Sequence, residues 1–597
     1  MKTSYRDRCT MSGILMLALL HVAPAAKAQT YSESALYSFC ASSGCAYQDV
    51  LANLIQLSDG SFYGMADYGA GGADESVVFK LAPTGEYTVL HTFCALGAPG
   101  CTDAGGAGSL IEGGDGNIYG TNEFGGANGY GSVFRIAPNG AYRLMYSFCS
   151  LADCADGTYT GGAMIEGSDG NYYGTTSSTI FKITSAGKLT TLVGGLGGPQ
   201  ALLQGSDGAF YGTTYNDGSS QGCSGGCGSV FKLTPTNMFS TLYSFCSEAD
   251  CADGQYANAT LVEVGSGDFY GTTYNGGQSN DGTIFKITPG GVLTSIYQFC
   301  SQSNCADGGW PNEGITLGSD GNVYGTTQIY GYGVLTGDVG VGTVFRYNPV
   351  SGLTTPYTFC DTLNCDGGSQ PMAGLVQGND GDFYGTTTQG GTESDGVIFR
   401  LTVNPTLAAP VQLSLSSSQV QPGNAVTASL KVLNAFSLTM QQCYAFQNGT
   451  PLGKIPGTYN SSTQIYTFST SITPTTAGIY NYAVTCGGVE SGFASLTVGD
   501  TTTTTLTASP NPVTPPASVT LTAAITRTTG TGVPGGSVTF SSGTIVLGKA
   551  SLNGSGVASL SASSKGVAAG TYPVVATYSG DTEDVGSASA AVSVMVE

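Results

Sequence analysis

The chain repeats one short pattern seven times, and this repetition limits the folds that it can adopt more than any other feature. Each copy places a Tyr-Gly dipeptide after an Asp-Gly or similar turn, and an apolar residue followed by Phe comes later in the copy. The tyrosines are Tyr63, Tyr119, Tyr173, Tyr211, Tyr270, Tyr324 and Tyr384, and the phenylalanines are Phe79, Phe134, Phe181, Phe231, Phe285, Phe345 and Phe399. A period of about 50 residues is typical of β-propellers rather than of short-period solenoids.

Residues 109–149 contain one clear copy of the unit. Segments at residues 110–112, 117–121, 132–136 and 142–148 predict four strands, named a to d in chain order and joined by Gly-rich hairpin turns. Strands b and c carry adjacent large apolar residues, so both faces of the sheet must be covered, as they are when sheets stack. We expect the glycine after each tyrosine to let a neighbouring sheet approach closely.

The two ends of the repeat region predict that it closes into a ring. The region begins with an isolated d-like strand at residues 35–39, and its last copy stops after strand c at residues 399–401. The first strand can therefore complete the last sheet, which removes exposed sheet edges. An open solenoid of the same units is the alternative.

Residues 1–28 are typical of a signal peptide. They have a basic start, an apolar run at residues 14–20 and a small-residue cleavage site at Ala26-Lys27-Ala28. The alternative, an uncleaved anchor, needs about 20 apolar residues, and this run is far shorter. The mature chain is thus predicted to be secreted or displayed on the cell surface, with no transmembrane segment after cleavage.

The charge of the mature chain excludes one class of partner. Removing residues 1–28 leaves 14 basic against 39 acidic residues, a net charge of −25. Such a surface repels phosphate backbones, so we expect no nucleic-acid binding. The acidity also keeps a weakly charged exported protein soluble.

Sixteen of the 17 cysteines follow the leader, and they fall into eight local pairs. In an exported protein such pairs predict disulfides, whereas a zinc site would need four converging ligands. Six pairs close the connection from strand d to the next strand a, one pair lies in a b-to-c loop, and the last can join two strands as in immunoglobulin-like modules. The predicted bonds are Cys40/Cys45, Cys94/Cys101, Cys149/Cys154, Cys223/Cys227, Cys246/Cys251, Cys300/Cys305, Cys360/Cys365 and Cys443/Cys486.

The repeat motifs resemble those of a known family. The segments at residues 205–214, 242–245 and 282–287 are similar to the GloVer tandem repeats of bacterial exported proteins, and the resemblance covers residues 31–403. It implies propeller-like repeats with variable C-terminal attachments and no activity that could be carried over. The last segment resembles a bacterial group 3 immunoglobulin-like repeat, which is usually a spacer.

The predicted fold is all-β: a seven-bladed β-propeller closed by an N-terminal strand, followed by two immunoglobulin-like β-sandwiches. The predicted segments are a signal peptide at 1–28, the propeller at 29–403, and sandwiches at 404–500 and 501–597. Alternating strands replace the repeat after Pro410, and threonines 501–505 mark the linker between the sandwiches.

The histidine count excludes two kinds of catalytic site. His91 alone follows the leader, so His-based triads and multi-histidine metal sites are ruled out. His91 occupies the repeat position that Tyr37, Tyr146, Tyr243 and Tyr297 hold elsewhere, which favours a structural role.

Two series of aspartates favour turns over chemistry. The Asp-Gly pairs at Asp59, Asp115, Asp169, Asp207, Asp320 and Asp380 differ in spacing from the aspartate boxes of sialidases and predict hairpin turns. A second series, Asp156, Asp253, Asp307 and Asp366, follows the second Cys of a crossover, where we favour turn capping. Calcium needs six to eight oxygens, so no cofactor is expected, with Ca²⁺ kept as an alternative. No carboxylate pair suited to glycoside hydrolysis stands out from the repeat background.

Strand parity predicts which face binds a ligand. The b-to-c loops and d-to-a crossovers share one face and carry both the length variation and the aromatic residues, as recognition loops do. Trp310, Tyr215, Tyr274 and Tyr330 are the candidate contact residues. The alternative is that these side chains only pack their own loops.

These patterns favour a non-catalytic recognition or surface-structural protein rather than an enzyme. In this interpretation the propeller head binds a glycan or an extracellular protein, and the sandwiches form a stalk. One alternative is a secreted propeller hydrolase or lyase acting on polysaccharide. Another is a structural envelope component with no saturable ligand.

The disulfide assignment predicts that the mature chain has no free thiol. We expect alkylation without reduction to leave the mass of the oxidised protein unchanged. Several alkylated cysteines would contradict the local pairing.

Overall fold

A computed structural model describes most of the chain after the predicted leader. The described residues are 29–39, 47–49, 53–57, 59–68, 76–93, 103, 106, 108–137, 140–220, 222–223, 225–264, 267–312, 314–331, 341–360, 365–404, 407, 409–433, 443–448, 450–460, 463, 465–486, 489–529, 531–581 and 583–597. The predicted signal peptide lies outside them. Within these ranges no helix has the length and apolarity needed to cross a membrane.

The repeat region consists of antiparallel sheets, as predicted. We number these sheets 1 to 7 in chain order and label the strands of each sheet a to d. Sheet 1 has an additional first strand, and the fourth strand of sheet 7 comes from the N-terminus. The strands are Tyr47–Asp49, Ile55–Gln56, Phe62–Tyr68, Ser76–Leu81 and Tyr87–Thr92 in sheet 1; Leu110–Glu112, Ile118–Asn122, Ser132–Ile136 and Tyr142–Ser147 in sheet 2; Ile165–Glu166, Tyr172–Thr175, Thr179–Ile183 and Leu189–Gly194 in sheet 3; Pro199–Gln204, Phe210–Thr214, Ser229–Leu233 and Phe239–Ser244 in sheet 4; Val262–Val264, Asp268–Thr273, Thr283–Ile287 and Leu293–Gln298 in sheet 5; Thr316–Leu317, Val323–Thr327, Thr343–Asn348 and Gly352–Thr358 in sheet 6; and Val376–Gln377, Phe383–Thr386, Val397–Asn404 and Thr30–Ser38 in sheet 7.

The copy at residues 109–149 forms the four predicted strands with small shifts. Strands a and c have the predicted bounds, strand b begins and ends one residue later, and strand d ends at Ser147. Short 3₁₀ helices at Ala152–Cys154, Ala249–Cys251 and Ser303–Cys305 occupy three of the d-to-a crossovers.

The N-terminal strand completes the last sheet. Thr30–Ser38 pairs antiparallel with Val397–Asn404, from Thr30 opposite Asn404 to Ser38 opposite Val397. The strand is longer than residues 35–39, which were predicted from the d-strand motif, and it runs along the full length of its partner.

Apolar packing joins each sheet to the next. Every core cluster of the repeat region combines residues from two consecutive sheets; one contains Phe134 of sheet 2 with Tyr63 and Val78 of sheet 1. Another contains Phe62 of sheet 1 with Tyr384 and Ile398 of sheet 7. Sheets 7 and 1 are therefore packed against each other in the same way as the intervening pairs.

The glycine after each tyrosine serves a different purpose from the one predicted. A Cβ on Gly120 would lie 2.2 Å from Cζ of Phe134, which is its cross-strand partner in the same sheet. The prediction that this glycine admits a neighbouring sheet is wrong. It makes room for the repeat's own phenylalanine ring, which explains why Tyr-Gly and Phe recur together.

A polar contact also links successive sheets. A buried Gln or Glu in strand a accepts a hydrogen bond from a backbone N–H in the a-to-b turn of the preceding sheet. The donor and acceptor pairs are Gly114 to Glu166 Oε2 (2.9 Å), Ser168 to Gln204 Oε1 (2.8 Å), Ser206 to Glu263 Oε2 (2.8 Å), Ser319 to Gln377 Oε1 (2.9 Å) and Asn379 to Gln56 Oε1 (2.9 Å). The last pair joins sheet 7 to sheet 1.

Two β-sandwiches follow the repeats. The first has one sheet of Val411–Leu415, Val426–Val432, Thr458–Asn460 and Ile465–Ile472, and another of Gln419–Val420, Cys443–Gln447, Thr450–Lys454, Gly478–Cys486, Val489–Glu490 and Ala494–Val498. The second has one sheet of Thr502–Ser509, Ser518–Arg527 and Val557–Ser563, and another of Ser537–Ser542, Ile545–Ser551, Gly570–Tyr578, Ser587–Ala588 and Val592–Val596. Each has an apolar core that contains residues of both sheets.

The structure contains six of the predicted disulfides: Cys149–Cys154, Cys223–Cys227, Cys246–Cys251, Cys300–Cys305, Cys360–Cys365 and Cys443–Cys486. Cys40, Cys45, Cys94 and Cys101 lie outside the described residues. Cys443 and Cys486 join two strands, as predicted, but these are directly paired neighbours in one sheet. The analogy with immunoglobulin domains, whose bond spans the two sheets, is therefore wrong.

The first sandwich lies against the a-to-b turns of the repeats. Tyr444 Oη donates a hydrogen bond to Glu166 Oε1 (2.6 Å), and Lys454 Nζ donates to the Ser168 carbonyl (3.4 Å). The ring of Phe446 lies beside Gly116, and Gly492 lies beside the side chain of Asn379. The sandwich thus contacts turns of sheets 2, 3 and 7 at this end of the repeat region.

The Gln and Glu residues of the inter-sheet contact allow a paired stability test. Burial raises the pKa of Glu263 in the folded protein. A carboxyl group with a raised pKa stabilises the fold below its unfolded pKa of about 4.3, and this contribution is lost as the pH rises through the folded pKa. Glu263→Gln should therefore raise the free energy of unfolding at pH 7 by about 1 kcal/mol, with a smaller gain at pH 4.

Gln204→Glu is the matched control. Gln204 and Glu263 both face a serine of the preceding turn, and Gln204 Nε2 also donates to the Gly208 carbonyl at 3.0 Å. Denaturant unfolding should show that Gln204→Glu destabilises the protein at pH 7. The same change in the free energy of unfolding at both pH values, or no change in either variant, would contradict this interpretation.

Candidate binding face

The b-to-c loops and the d-to-a crossovers meet on one face of the repeat region, as strand parity predicts. The backbone N–H of Trp310 in a crossover donates to the Asp281 carbonyl in the b-to-c loop of sheet 5 (2.8 Å). The Trp310 carbonyl accepts from the N–H of Gln328, which follows strand b of sheet 6 (3.0 Å). Tyr256 makes the equivalent bonds to Cys227 (2.7 Å) and Tyr274 (3.0 Å). Each crossover is thereby held between two successive loops.

The crossover residues that make these bonds have an unusual backbone. The φ angles of Tyr159, Tyr256, Trp310 and Gln370 are 52°, 59°, 53° and 54°. Bulky L-residues seldom adopt this left-handed region, and it persists where surrounding bonds impose it. Because four equivalent residues share it, the conformation belongs to the repeat and sets where each side chain is presented.

Two aromatic pairs lie side by side on this face. The rings of Tyr215 and Tyr256 are stacked, with centroids 4.8 Å apart and planes 12° from parallel. The rings of Tyr274 and Trp310 have centroids 5.4 Å apart and planes at 32°. Each pair combines a b-to-c loop with the following crossover, and all four side chains are half-buried. We name these four residues the aromatic row.

The hydroxyl groups of Tyr215 and Tyr274 remain protonated at neutral pH. Burial raises the pKa of Tyr274, and the nearby Tyr215 adds to the shift. Burial likewise raises the pKa of Tyr215, with a further contribution from Tyr256. Tyr274 Oη donates to Gln328 Oε1 (3.2 Å), so the row continues into an amide side chain. The row presents aromatic rings beside neutral hydrogen-bonding groups.

The structure brings together three of the four predicted contact residues. Tyr274 and Trp310 contact each other, and Tyr215 lies beside Tyr274. The ring of Tyr330 lies next to Gly309, the residue before Trp310. Tyr256 was missed, although it occupies the position of Trp310 in its own crossover, two residues after the Asp-Gly pair. That shared repeat position was the signal that could have found it.

A second aromatic cluster lies in the neighbouring repeats. The rings of Phe124 and Tyr130 each have their centroid 5.6 Å from that of Tyr159. These three side chains are 37–39% exposed, more than those of the aromatic row. They extend the aromatic surface of the same set of loops and crossovers.

The Asp-Gly aspartates hold their own turns. Asp207 Oδ1 accepts from the Ala209 N–H (3.0 Å), and Asp207 Oδ2 accepts from Tyr211 Oη (2.9 Å) and Lys232 Nζ (2.7 Å). Burial alone would raise the pKa of Asp207, but these hydrogen bonds lower it overall. The pattern recurs around Asp59 and Asp169, which supports the hairpin-turn interpretation.

The second aspartate series caps the crossovers. Asp253 is fully buried; its Oδ2 accepts from Tyr243 Oη (2.8 Å) and the Ser247 N–H (2.9 Å), and its Oδ1 accepts from the Glu248 N–H (3.3 Å). Asp156 and Asp307 accept the same set of bonds. N–H and O–H donors already point at these oxygens, so the arrangement does not fit Ca²⁺, which repels the positive end of a donor.

His91 has the structural role that its repeat position predicts. Its Nε2 lies 3.1 Å from Asp103 Oδ2, the contact that Tyr243 makes with Asp253 elsewhere, and its ring stacks on Tyr142. Burial lowers the pKa of His91. The groups Cys223/Cys227/Cys246 and Asp281/Cys300/Cys305 place ligand-type atoms within 4.8 Å of one another, but their cysteines are disulfide-bonded and provide no thiolates.

The chain belongs to the family of the Gloeobacter/Verrucomicrobia repeat, whose model matches residues 25–195 and 198–450. The match extends beyond the predicted repeat boundary at 403 into the first sandwich. The model of the bacterial Ig-like domain (group 3) matches residues 506–597. No curated protein sequence matches the chain.

Several solved structures are similar to this chain at low sequence identity and low TM-score. A gluconolactonase from Xanthomonas campestris is 12% identical with a TM-score of 0.29, covering 48% of this chain and 82% of its own. A luciferin-regenerating enzyme is 12% identical with a TM-score of 0.32, covering 50% and 91%. An adhesin of Yersinia pseudotuberculosis is 12% identical with a TM-score of 0.15, covering 32% and 59%.

Proposed function

We propose that residues 29–403 form a closed seven-bladed β-propeller that recognises a glycan without catalysis, through the aromatic row. The sheets described above serve as its blades. Closure is supported by the pairing of Thr30–Ser38 with Val397–Asn404 and by the packing of Phe62 against Tyr384. The pairing gives strand c of sheet 7 a neighbour, so that this strand presents no open edge.

The first sandwich lies at the end of this propeller opposite the aromatic row. It contacts sheets 2 and 3 beside their a-to-b turns through Tyr444, Phe446 and Lys454. The loops and crossovers that carry the aromatic row lie at the opposite ends of the strands. In this proposal the protein is exported after cleavage of residues 1–28, and the sandwiches at 404–500 and 501–597 form a stalk whose first domain is docked on the head.

The observation that carries the proposal is the aromatic row itself. Planar aromatic rings with a polar group at one edge suit sugars, which have an apolar face and hydroxyl edges. Here two ring pairs from three successive repeats are held by backbone hydrogen bonds, so the surface is formed before a ligand arrives. An extracellular protein is the other partner that such a surface would suit.

Three acids of the loops and crossovers next to the row are buried, which favours binding over hydrolysis or elimination at the row. Asp253 and Asp307 are buried and accept turn hydrogen bonds, and Asp281 is 7% exposed, with its carboxylate beside the Cys300–Cys305 disulfide. A glycosidase needs two carboxylates that flank the substrate bond. These three acids of the adjoining loops are not presented to a ligand.

Trp310 is the single tryptophan of the chain, so its fluorescence reports on the row directly. We expect a binding polysaccharide to change Trp310 emission saturably. Tyr274→Ala should weaken that binding by about 1 kcal/mol or more, roughly fivefold, because it removes half of a stacked pair. Trp310→Ala should weaken binding to the same extent as Tyr274→Ala, and its binding is measured by affinity electrophoresis.

Val350→Ala is the control, because Val350 is 96% exposed in the c-to-d turn at the opposite end of sheet 6. Affinity that is unchanged in both row variants but reduced in the control would show that the other face binds. Release of reducing ends from the same polysaccharides would instead establish the hydrolase or lyase alternative.

A further inference from the structure

Positive charge is confined to one end of the repeat region. Between residues 29 and 404 the basic residues are Lys80, Arg135, Arg143, Lys182, Lys188, Lys232, Lys286, Arg346 and Arg400. Seven of them follow the repeated phenylalanine in strand c, and the other two, Arg143 and Lys188, lie at or beside the start of strand d. The sequences of the b-to-c loops and d-to-a crossovers contain no Lys or Arg.

The strand-c cations are directed toward the a-to-b turns, away from the aromatic row. Lys232 Nζ lies 2.7 Å from Asp207 Oδ2, and Lys286 Nζ lies 2.6 Å from Asp268 Oδ2. Arg400 bonds the turn carboxylate of Asp380 at 2.9 Å. Each of these cations is held by an acid at or beside the a-to-b turn of its sheet, so none is placed to reach a ligand on the row.

The loops and crossovers themselves carry only acidic charge. Among the described residues of these loops and crossovers, the acids are Asp103, Glu123, Asp153, Asp156, Asp217, Glu248, Asp250, Asp253, Asp281, Asp307, Asp366, Glu393 and Asp395. A polyanionic glycan approaching this face would be repelled by the summed field, and specific recognition of a carboxylate or sulfate normally uses Arg or Lys.

The polar groups next to the row are uncharged amides. Gln328 Oε1 accepts from Tyr274 Oη, and Asn258 Nδ2 donates to Asn312 Oδ1 at 2.5 Å across two successive crossovers. Gln370 occupies the crossover position of Trp310 in the next repeat. Amide and phenol groups exchange hydrogen bonds with sugar hydroxyls without requiring a charge on the ligand.

We infer that the aromatic row binds uncharged polysaccharides and discriminates against uronic-acid or sulfated ones. This inference rests on the proposed glycan-binding function and specifies its ligand class. The discrimination has two parts: no cation is available to pair with an anionic group, and a surface of one sign repels it.

The test compares glycans that share a backbone and differ in charge. Hydroxyethylcellulose and carboxymethylcellulose are one pair, and xylan without and with glucuronic acid side groups is another. Titration of the full mature protein, followed by Trp310 fluorescence at low ionic strength, should show at least tenfold tighter binding of the uncharged member in the pair whose backbone is recognised. Salt should reduce this preference, because screening weakens the repulsion.

A charge-insertion variant provides a second measurement. Ser279 is exposed in the b-to-c loop that follows Tyr274. Ser279→Lys should raise affinity for the anionic member severalfold and leave the uncharged member unchanged, whereas Ser279→Gln, of similar length and no charge, should change neither.

The outcomes separate the inference from the proposal on which it rests. If the anionic member binds equally or more tightly and Tyr274→Ala loses this binding, the charge preference is overturned. Glycan binding at the row then remains supported. Binding of cationic chitosan without any uncharged glycan would also overturn it. No saturable response to any glycan would remove the proposed function itself.

Discussion

The pairing of Thr30–Ser38 with Val397–Asn404 is the constraint on which the rest of the repeat region depends. It brings together residues that are 374 positions apart and gives sheet 7 its fourth strand. Sheet 7 can then pack on sheet 1 through Phe62, Tyr384 and Ile398. Without this pairing, strand c of sheet 7 would present an open edge.

The joint between the last and first sheets resembles the other joints in both its apolar and its polar contacts. Asn379 donates its N–H to Gln56 as Ser206 does to Glu263, and an apolar cluster accompanies each contact. This regularity leaves two chemically different ends. One has salt-bridged turns, some of which contact the first sandwich, and the other has acidic loops, disulfide-closed crossovers and the aromatic row. Function is proposed for the second end because it carries the aromatic row.

The sequence predicted the features whose causes are local. Strand order, hairpin aspartates and short-range disulfides each depend on residues within one repeat, so Asp207 and Cys246/Cys251 could be assigned from spacing alone. The stacking of Tyr215 on Tyr256, the place of Gly120 beside Phe134 and the same-sheet position of Cys443 and Cys486 depend on which strands become neighbours. The docking of Tyr444 on Glu166 joins separate domains, and no repeat position signals it.

Native-state hydrogen exchange along the N-terminal strand tests ring closure most directly. The account predicts that the backbone amides of Thr30–Ser38 that bond Val397–Asn404 are protected as strongly as those of Phe239–Ser244, the strand d of sheet 4, because both are strands of complete sheets within one cooperative unit. Exchange of the N-terminal strand at the rate of a frayed terminus, while Phe239–Ser244 stays protected, would contradict a closed ring.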